Sequence, residues 1–397
     1  MKINKWTVAL AAAGLVNLSS VVHAEESSAA VMTALSATTL SGYVDTSAIW
    51  KPGTGNGFIP GRAFDGGTGN PGGNKLDGFN LNVVKLAIEK PISEGDWGAG
   101  YRVDLLFGPD AVGYNTSANA LPVGDFSVQQ AYVALHMPIG NGIDWKIGTW
   151  TTILGYEVFE SGNNPNYSRS YGWLMEPTQH TGVLANYKVN DVVSLAGGIA
   201  NTHTTGINAR SPRAESHKAY MGSVTITAPE SWGFLSGSTW VLAAVDGFGG
   251  NAGKDTVNLY AGATIPTPLT GLTVGAAFDY RFNGANAVTV AGPDTSNWAY
   301  SIAGYLNYQA TEKLKLNARA DYTTGSDGTW FDAGVQTTIS DEQNELGSLT
   351  LTADYSLWAN VISRLEFRWD HSFNGKAYNA GSDKNAMTVA ANIIYKF

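Results

Sequence analysis

Between Asp96 and Phe107 the chain alternates. Trp97, Ala99, Tyr101, Val103, Leu105 and Phe107 fall on one face, and Asp96, Gly98, Gly100, Arg102, Asp104 and Leu106 on the other. A period of two sends successive side chains to opposite sides of an extended backbone, so the segment predicts a β-strand with one apolar face. The pattern returns at 272–283, where Phe278, Tyr280 and Phe282 oppose Asp279, Arg281 and Asn283, and at 314–323, where Leu314, Leu316 and Ala318 oppose Lys315, Asn317, Arg319 and Asp321. At 364–370 it is sharpest: Leu365, Phe367 and Trp369 oppose Arg364, Glu366, Arg368 and Asp370.

Seventeen such segments span residues 39 to 397. The connectors alternate between tight ones (138–142, 266–270, 310–312, 356–360) and long polar or Gly-rich ones (51–77, 108–126, 154–177, 202–217, 284–296, 372–384), as expected for antiparallel strands joined in sequence order. A soluble sandwich also alternates, with its aromatics in mid-strand. Here Trp97, Phe107, Trp298, Tyr308, Tyr355, Trp369, Tyr395 and Phe397 sit at strand ends, where two membrane interfaces would place girdles. The expected fold is all-β, a transmembrane antiparallel up-and-down β-barrel. Single-chain bacterial barrels have even strand numbers, and loop parity fails between 313 and 355, so residues 329–339 are read as a long extracellular hairpin or bent strand. That leaves about sixteen strands, within a range of roughly 14 to 18.

The N-terminus changes the picture by adding export. Lys2 and Lys5 precede an apolar run to Val22, and Val22-His23-Ala24 closes it with a small residue, so residues 1–24 read as a signal peptide. Residues 25–38 then form a periplasmic N-terminal segment and 39–397 the barrel. Losing residues 1–24 removes two of 24 basic residues and none of 33 acidic ones, which takes the net charge from −9 to −11. An acidic chain without clustered Lys and Arg does not suit nucleic acid as a partner. With no cysteine, disulfides, thiolate metal sites and Cys nucleophiles are excluded. No apolar run after the leader is long enough for a spanning helix, whereas a closed barrel satisfies its backbone within the membrane.

Several segments carry a family likeness: Gln130-Ala131-Tyr132-Val133-Ala134-Leu135, Ile139-Gly140-Asn141-Gly142, Asp144-Trp145-Lys146-Ile147-Gly148, Gly155-Tyr156-Glu157, Tyr167-Ser168-Arg169-Ser170 and Ser363-Arg364-Leu365-Glu366-Phe367-Arg368-Trp369-Asp370. Across almost the whole mature chain the sequence resembles the putative β-barrel porin-2 (OmpL-like) family. The resemblance implies a bacterial outer-membrane location and a passive channel for small polar solutes and ions. It brings no catalytic residues.

If the apolar face meets lipid, the opposite face lines the lumen. Arg102, Asp104, Lys146, Asp279, Arg281, Arg319, Asp321, Arg364, Glu366, Arg368 and Asp370 are the expected pore-lining charges, with Lys85, Glu89, Lys315 and Asp354 beside them. Mixed signs on opposed walls order water and favour polar solutes. The plainer reading is that many of them are cross-strand ion pairs bracing the wall. Residues 154–177 are long for a connector and carry Tyr156, Phe159, Tyr167, Tyr171, Trp173, Leu174 and Met175, so they are expected to fold inward and set Glu157 and Arg169 at a constriction, the rival reading being an external flap or a subunit contact.

Three rival readings have stated discriminators. A carbohydrate-type specific channel would use the aromatics of 154–177 as a stacking slide. A barrel enzyme would set a Ser or Asp within hydrogen-bond reach of His136, His180 or His371, and a structural barrel would have a closed interior. His136, His180, His203, His217 and His371 have no metal-ligand spacing, and the Gly-rich run 65–73 lacks the ending of a phosphate loop, so neither metal nor cofactor is expected. The expected partners are outer-membrane lipid, small polar solutes and the barrel assembly machinery, with a homo-oligomer left open.

Met387, Val389, Ala391, Ile393, Tyr395 and Phe397 alternate to the last residue, which resembles the assembly signal of outer-membrane barrels. Deleting Phe397 is expected to impair assembly more than its packing explains. Membrane yield and heat-modifiable migration read this out, and normal values for the truncated chain would refute it.

Overall fold

The computed structural model describes residues 38–53, 77–114, 126–203, 206–210, 217–248, 255–283, 297–327, 329–330, 344–379 and 381–397. The expected signal peptide and nearly all of the 25–38 segment lie outside these residues. The described strands are β1 (Thr39–Trp50), β2 (Gly78–Lys90), β3 (Gly98–Phe107), β4 (Phe126–Met137), β5 (Ile143–Thr151), β6 (Gln179–Lys188), β7 (Val193–Ala200) and β8 (Ala219–Thr227). They continue as β9 (Thr239–Phe248), β10 (Asp255–Pro266), β11 (Leu272–Phe282), β12 (Trp298–Gln309), β13 (Leu314–Gly325), β14 (Leu346–Trp358), β15 (Val361–Ser372) and β16 (Asn385–Lys396). Each strand pairs antiparallel with its sequence neighbour, and β1 closes on β16 to complete a sixteen-strand barrel.

The closure explains the strand number. β13 pairs directly with β14, so the segment between them adds no strand to the wall, in line with the parity argument; residues 331–343 themselves lie outside the described set. At the seam Gly42 donates its N–H to the Phe397 carbonyl at 2.9 Å, and Phe397 donates back at 3.0 Å. A Cβ on Gly42 would sit 2.7 Å from the Phe397 ring, so only glycine lets that ring lie across the seam. The short β14–β15 turn is made possible by Asn360 in the left-handed region, a conformation that asparagine tolerates better than most residues.

Short connectors gather at the barrel end that carries Thr39 and Lys396, and long ones at the other end. The alternation read from sequence is the alternation of the wall. Trp97 (69 % exposed), Phe278, Leu316 and Phe367 face out, and Leu105 lies on the same face half-buried. The charged residues opposite them point in and are mostly buried. Outward aromatics frame both rims: Trp50, Phe107, Phe126 and Trp298 at one, and Trp97, Trp358, Tyr395 and Phe397 at the other. No described helix is long and apolar enough to cross a membrane; the strands are the spanning elements.

The two faces of one strand make a direct test. On β8, Val224 faces out and its neighbour Ser223 faces in. Val224→Arg is expected to lower folding stability in lipid by about 2–4 kcal/mol, the cost of a cation at the lipid-facing midplane, and Ser223→Arg by much less. Urea titration of heat-modifiable migration measures both, and the reverse ranking would turn the wall inside out.

Candidate functional site: the segment inside the barrel

After Thr151 the chain leaves the wall and crosses the interior, rejoining it at Gln179. The entry is apolar. Ile153 and Leu154 pack with Leu184, Met221, Val245 and Tyr260 from β6, β8, β9 and β10. Gly155 then turns with φ of +107°, in a place where a Cβ would lie 2.3 Å from the Glu176 carboxylate. Tyr156 stacks on Tyr305 of β12 with ring centroids 4.1 Å apart. Its hydroxyl occupies space that a Cβ on Gly275 would need.

Beyond Tyr156 the segment is held by the charged wall. Glu157 accepts from Arg319 Nη1 at 2.7 Å and from the Ser170 N–H at 2.6 Å. Lys85 on β2 pairs with Glu160, and with Asp104 on β3 at 2.8 Å. Burial disfavours the Glu160 carboxylate, but Lys85 outweighs this and holds its pKa below the ordinary range. Arg364 donates to the carbonyls of Ser161 (2.5 Å) and Asn164 (3.0 Å). The two oxygens of Glu366 accept the successive N–H groups of Tyr167 (2.6 Å) and Ser168 (3.0 Å). Arg319 donates to the carbonyls of Ser168 (2.8 Å) and Arg169 (3.0 Å), and Arg368 also donates to that of Arg169 (2.5 Å).

A one-turn helix α1 (Tyr171–Met175) follows, capped by Ser170, whose side chain accepts from the Trp173 N–H at 3.3 Å. The Tyr171 N–H donates to Asp321 and its hydroxyl to Asp370, both at 2.8 Å. The Met175 carbonyl accepts from Asn258 (3.0 Å) and Arg281 (3.1 Å). Gly172 abuts Asp279, whose carboxylate would lie 2.3 Å from an added Cβ.

Most of the residues singled out from sequence are therefore brought together. Arg281, Arg319, Asp321, Arg364, Glu366 and Arg368 grip the segment directly, Asp370 holds Tyr171, and Asp279 lies against Gly172. Arg102 and Asp104 join through Lys85, since Arg102 bonds Asp104 (2.9 Å) and Glu89 (3.1 Å). Lys146 stands apart, with its ammonium 4.9 Å from the Tyr132 ring centroid. Glu157 and Arg169 are both buried. Arg169 turns back into its own segment, donating to the carbonyls of Val158 (3.0 Å), Tyr167 (2.6 Å) and Phe159.

The aromatics of the segment pack rather than line a path. Phe159 and Trp173 join Tyr43, Val83, Leu106 and Ile394, Tyr167 packs with Ile49 and Ala390, and Tyr171 is fully buried. Tyr156 lines a cavity of about 430 Å³ between the segment and strands β9 to β13. Sequence reasoning missed the asparagines. Asn164 clamps Val158 through both its N–H (2.8 Å) and its carbonyl (2.6 Å), and Asn166 reaches Thr352 at 2.7 Å. The run Asn163-Asn164-Pro165-Asn166 was the available signal, because side-chain amides stand in for backbone groups in irregular segments.

Glu176 is expected to make the stability of the fold pH-dependent. Burial pushes its carboxyl well above the usual range, and the nearby Asp279 and Glu157 push the same way. A carboxyl raised in the folded state stabilises it fully below the unfolded pKa, and that stability is lost as pH rises through the folded value. Glu176→Gln keeps the neutral form, so the variant should lose the part of the decline in melting temperature seen above about pH 4.5, the usual unfolded value. Thermal scans of both proteins from acid to alkaline pH test this, and parallel profiles would count against it.

The comparisons with known proteins agree with this architecture. The channel DcaP of Acinetobacter baumannii superposes with a TM-score of 0.58 at 14 % identity, covering 91 % of this chain and 97 % of its own. OmpT of Vibrio cholerae in its trimer form gives 0.56 at 11 % identity, with 91 % and 99 % covered. An anion-selective porin from Comamonas acidovorans gives 0.53 at 11 % identity, also with 91 % and 99 % covered. At such identities the likeness shows the fold. No curated protein matches the chain. The model of the putative β-barrel porin-2, OmpL-like family matches residues 37–397, so a sixteen-strand barrel with a charged inner wall takes its place there: the chain belongs to this family of outer-membrane porins.

Proposed function

We propose that this porin is a passive diffusion channel for small polar solutes and ions, with residues 152–178 as the element that narrows its lumen. The observation that carries the reading is the attachment of that segment to β2, β10, β11, β13 and β15 by charged and amide side chains. A segment so held sets a fixed aperture. Glu157 and Arg169 act in this reading by holding the narrow level in shape. Arg102, Lys146, Arg281, Lys315 and Asp354, which are only half-buried, supply the field that a passing ion meets.

The family and fold are those of a channel. Among the described residues His136 bonds Asp144 (2.6 Å), His180 bonds Thr152 (3.1 Å) and His371 bonds Asn385 (2.9 Å). Asp144 beside His136 meets the discriminator set for a barrel enzyme, but a single His–Asp pair supplies a base and its orienter without a nucleophile, so the channel reading is kept. Export by residues 1–24 and assembly through Phe397 belong to the same reading. The trimer form of OmpT supports a homo-oligomer.

Deleting residues 160–172 while keeping the flanking strands is expected to raise single-channel conductance severalfold and weaken ion selectivity. Planar-bilayer recording checks it. Unchanged conductance in a folded deletion mutant would remove the segment from the permeation path.

A further inference from the structure

On the side facing the barrel end with Thr39 and Lys396, the inward segment leaves the cavity against β9 to β13 open. Its lining differs in chemistry from the rest of the interior. Thr264, Thr273, Asn307 and Gln309 bring hydroxyls and amides from adjacent strands, Thr264 and Asn307 being hydrogen-bonded with the Tyr156 hydroxyl and the Gln309 side-chain N–H donating to the Thr311 carbonyl at 2.7 Å, and Lys315 is the one charged side chain among the described residues that line it. No carboxylate lines the cavity, although carboxylates crowd the wall nearby.

The polar groups are arranged in cross-strand register. Thr273 lies opposite Asn307, which lies opposite Asn317, so hydrogen-bonding side chains recur at the strand spacing of about 4.8 Å. Asn307 Oδ1, which lines the cavity, is without a hydrogen-bond partner among the described residues, and so are both polar atoms of the buried Asn317, which stands beside the lining and not in it. Two glycines keep the floor low. A Cβ at Gly262 would lie 1.9 Å from the Tyr260 hydroxyl, and one at Gly275 would lie 2.1 Å from that of Tyr156. Both tyrosines can therefore lie down against the wall and leave the space above them free.

Hydroxyls and amides donate and accept at once, as the hydroxyls of a sugar or polyol do; a carboxylate or a guanidinium offers only one role. A cation entering this cavity would meet no carboxylate among the described lining residues and an anion only Lys315, so a charged solute would shed water for at most one counter-charge. A volume of about 430 Å³ lies in the range of pockets that hold small organic ligands. We propose that the cavity is a binding site for a neutral polyhydroxylated solute of mono- or disaccharide size. This inference rests on the channel reading, and it adds a resting place for solute on one side of the narrow level.

The test uses the full mature barrel in detergent, with sucrose as the neutral probe and sodium succinate as the charged comparator. Isothermal titration calorimetry is expected to give saturable sucrose binding in the millimolar range and none of comparable strength with succinate. Asn307→Leu and Thr273→Val are each expected to weaken sucrose binding about tenfold, the effect of losing one or two neutral hydrogen bonds. Heat-modifiable migration verifies that each variant folds, and either one suffices for the comparison. Absent sucrose binding, binding unchanged in both variants, or tighter binding of succinate would overturn the site. Potassium chloride conductance in planar bilayers reads the channel separately: conductance without sucrose binding overturns the site alone, and an inserted, folded barrel that conducts nothing overturns the channel reading on which it rests.

Discussion

Peptide groups carried into the middle of a barrel have no ladder to pair with, and each one left unpaired away from water costs about 1–3 kcal/mol. The structure of this porin turns on how that demand is met. Arg281, Arg319, Arg364 and Arg368 donate to main-chain carbonyls of residues 161–175, while Asp321 and Glu366 accept from main-chain N–H groups. The wall charges thus serve as the missing strand partner. Arginine suits the task because its planar fork holds several donors in fixed directions, and Arg319 reaches Glu157, Ser168, Arg169 and Thr350 at once.

Burying so many charges is expensive, and the arrangement answers that cost locally. Arg368 lies against Asp370 at 2.9 Å, Arg364 against Asp354 at 2.9 Å, and Lys85 between Asp104 and Glu160. A pair like these adds little net stability over an apolar substitute, but removing one partner strands the other in a dry site. The set therefore works mainly as a selector of position. An apolar segment could slide along an apolar wall, whereas Tyr167 and Ser168 meet both oxygens of Glu366 in one register only.

Much of the wall was legible in the sequence because alternation is a local property: Phe367 and Arg368 differ in facing whatever lies elsewhere in the chain. Strand number followed from parity, since closure forbids an odd count when both ends share a side. The inward course of residues 152–178 was legible too, in their length and in the burden of Tyr167, Tyr171 and Trp173. What could not be read was the pairing. Glu157 meets Arg319 across 162 residues of sequence, and nothing local indicates that Arg169 folds back onto Val158 and Tyr167 instead of projecting toward solute. The aromatics look alike as a slide and as packing until their burial is known.

The uneven filling of the barrel follows from the same accounting. Charges able to hold an irregular backbone are concentrated on β11, β13, β15 and the start of the sheet, where Lys85 and Asp104 stand. The inner faces of β7 and β8 carry Ser194, Ala196, Met221, Ser223 and Thr225, none of them charged, and meet only the apolar entry of the segment at Ile153 and Leu154. A segment entering from β5 must therefore cross to the charged side to satisfy its peptides, and its course leaves space against β9 to β13 at the end with the short connectors. The open volume is thus what remains once the buried backbone has found its partners. That is why its lining, Lys315 apart, is neutral and hydrogen-bonding while the ions gather where the segment is held.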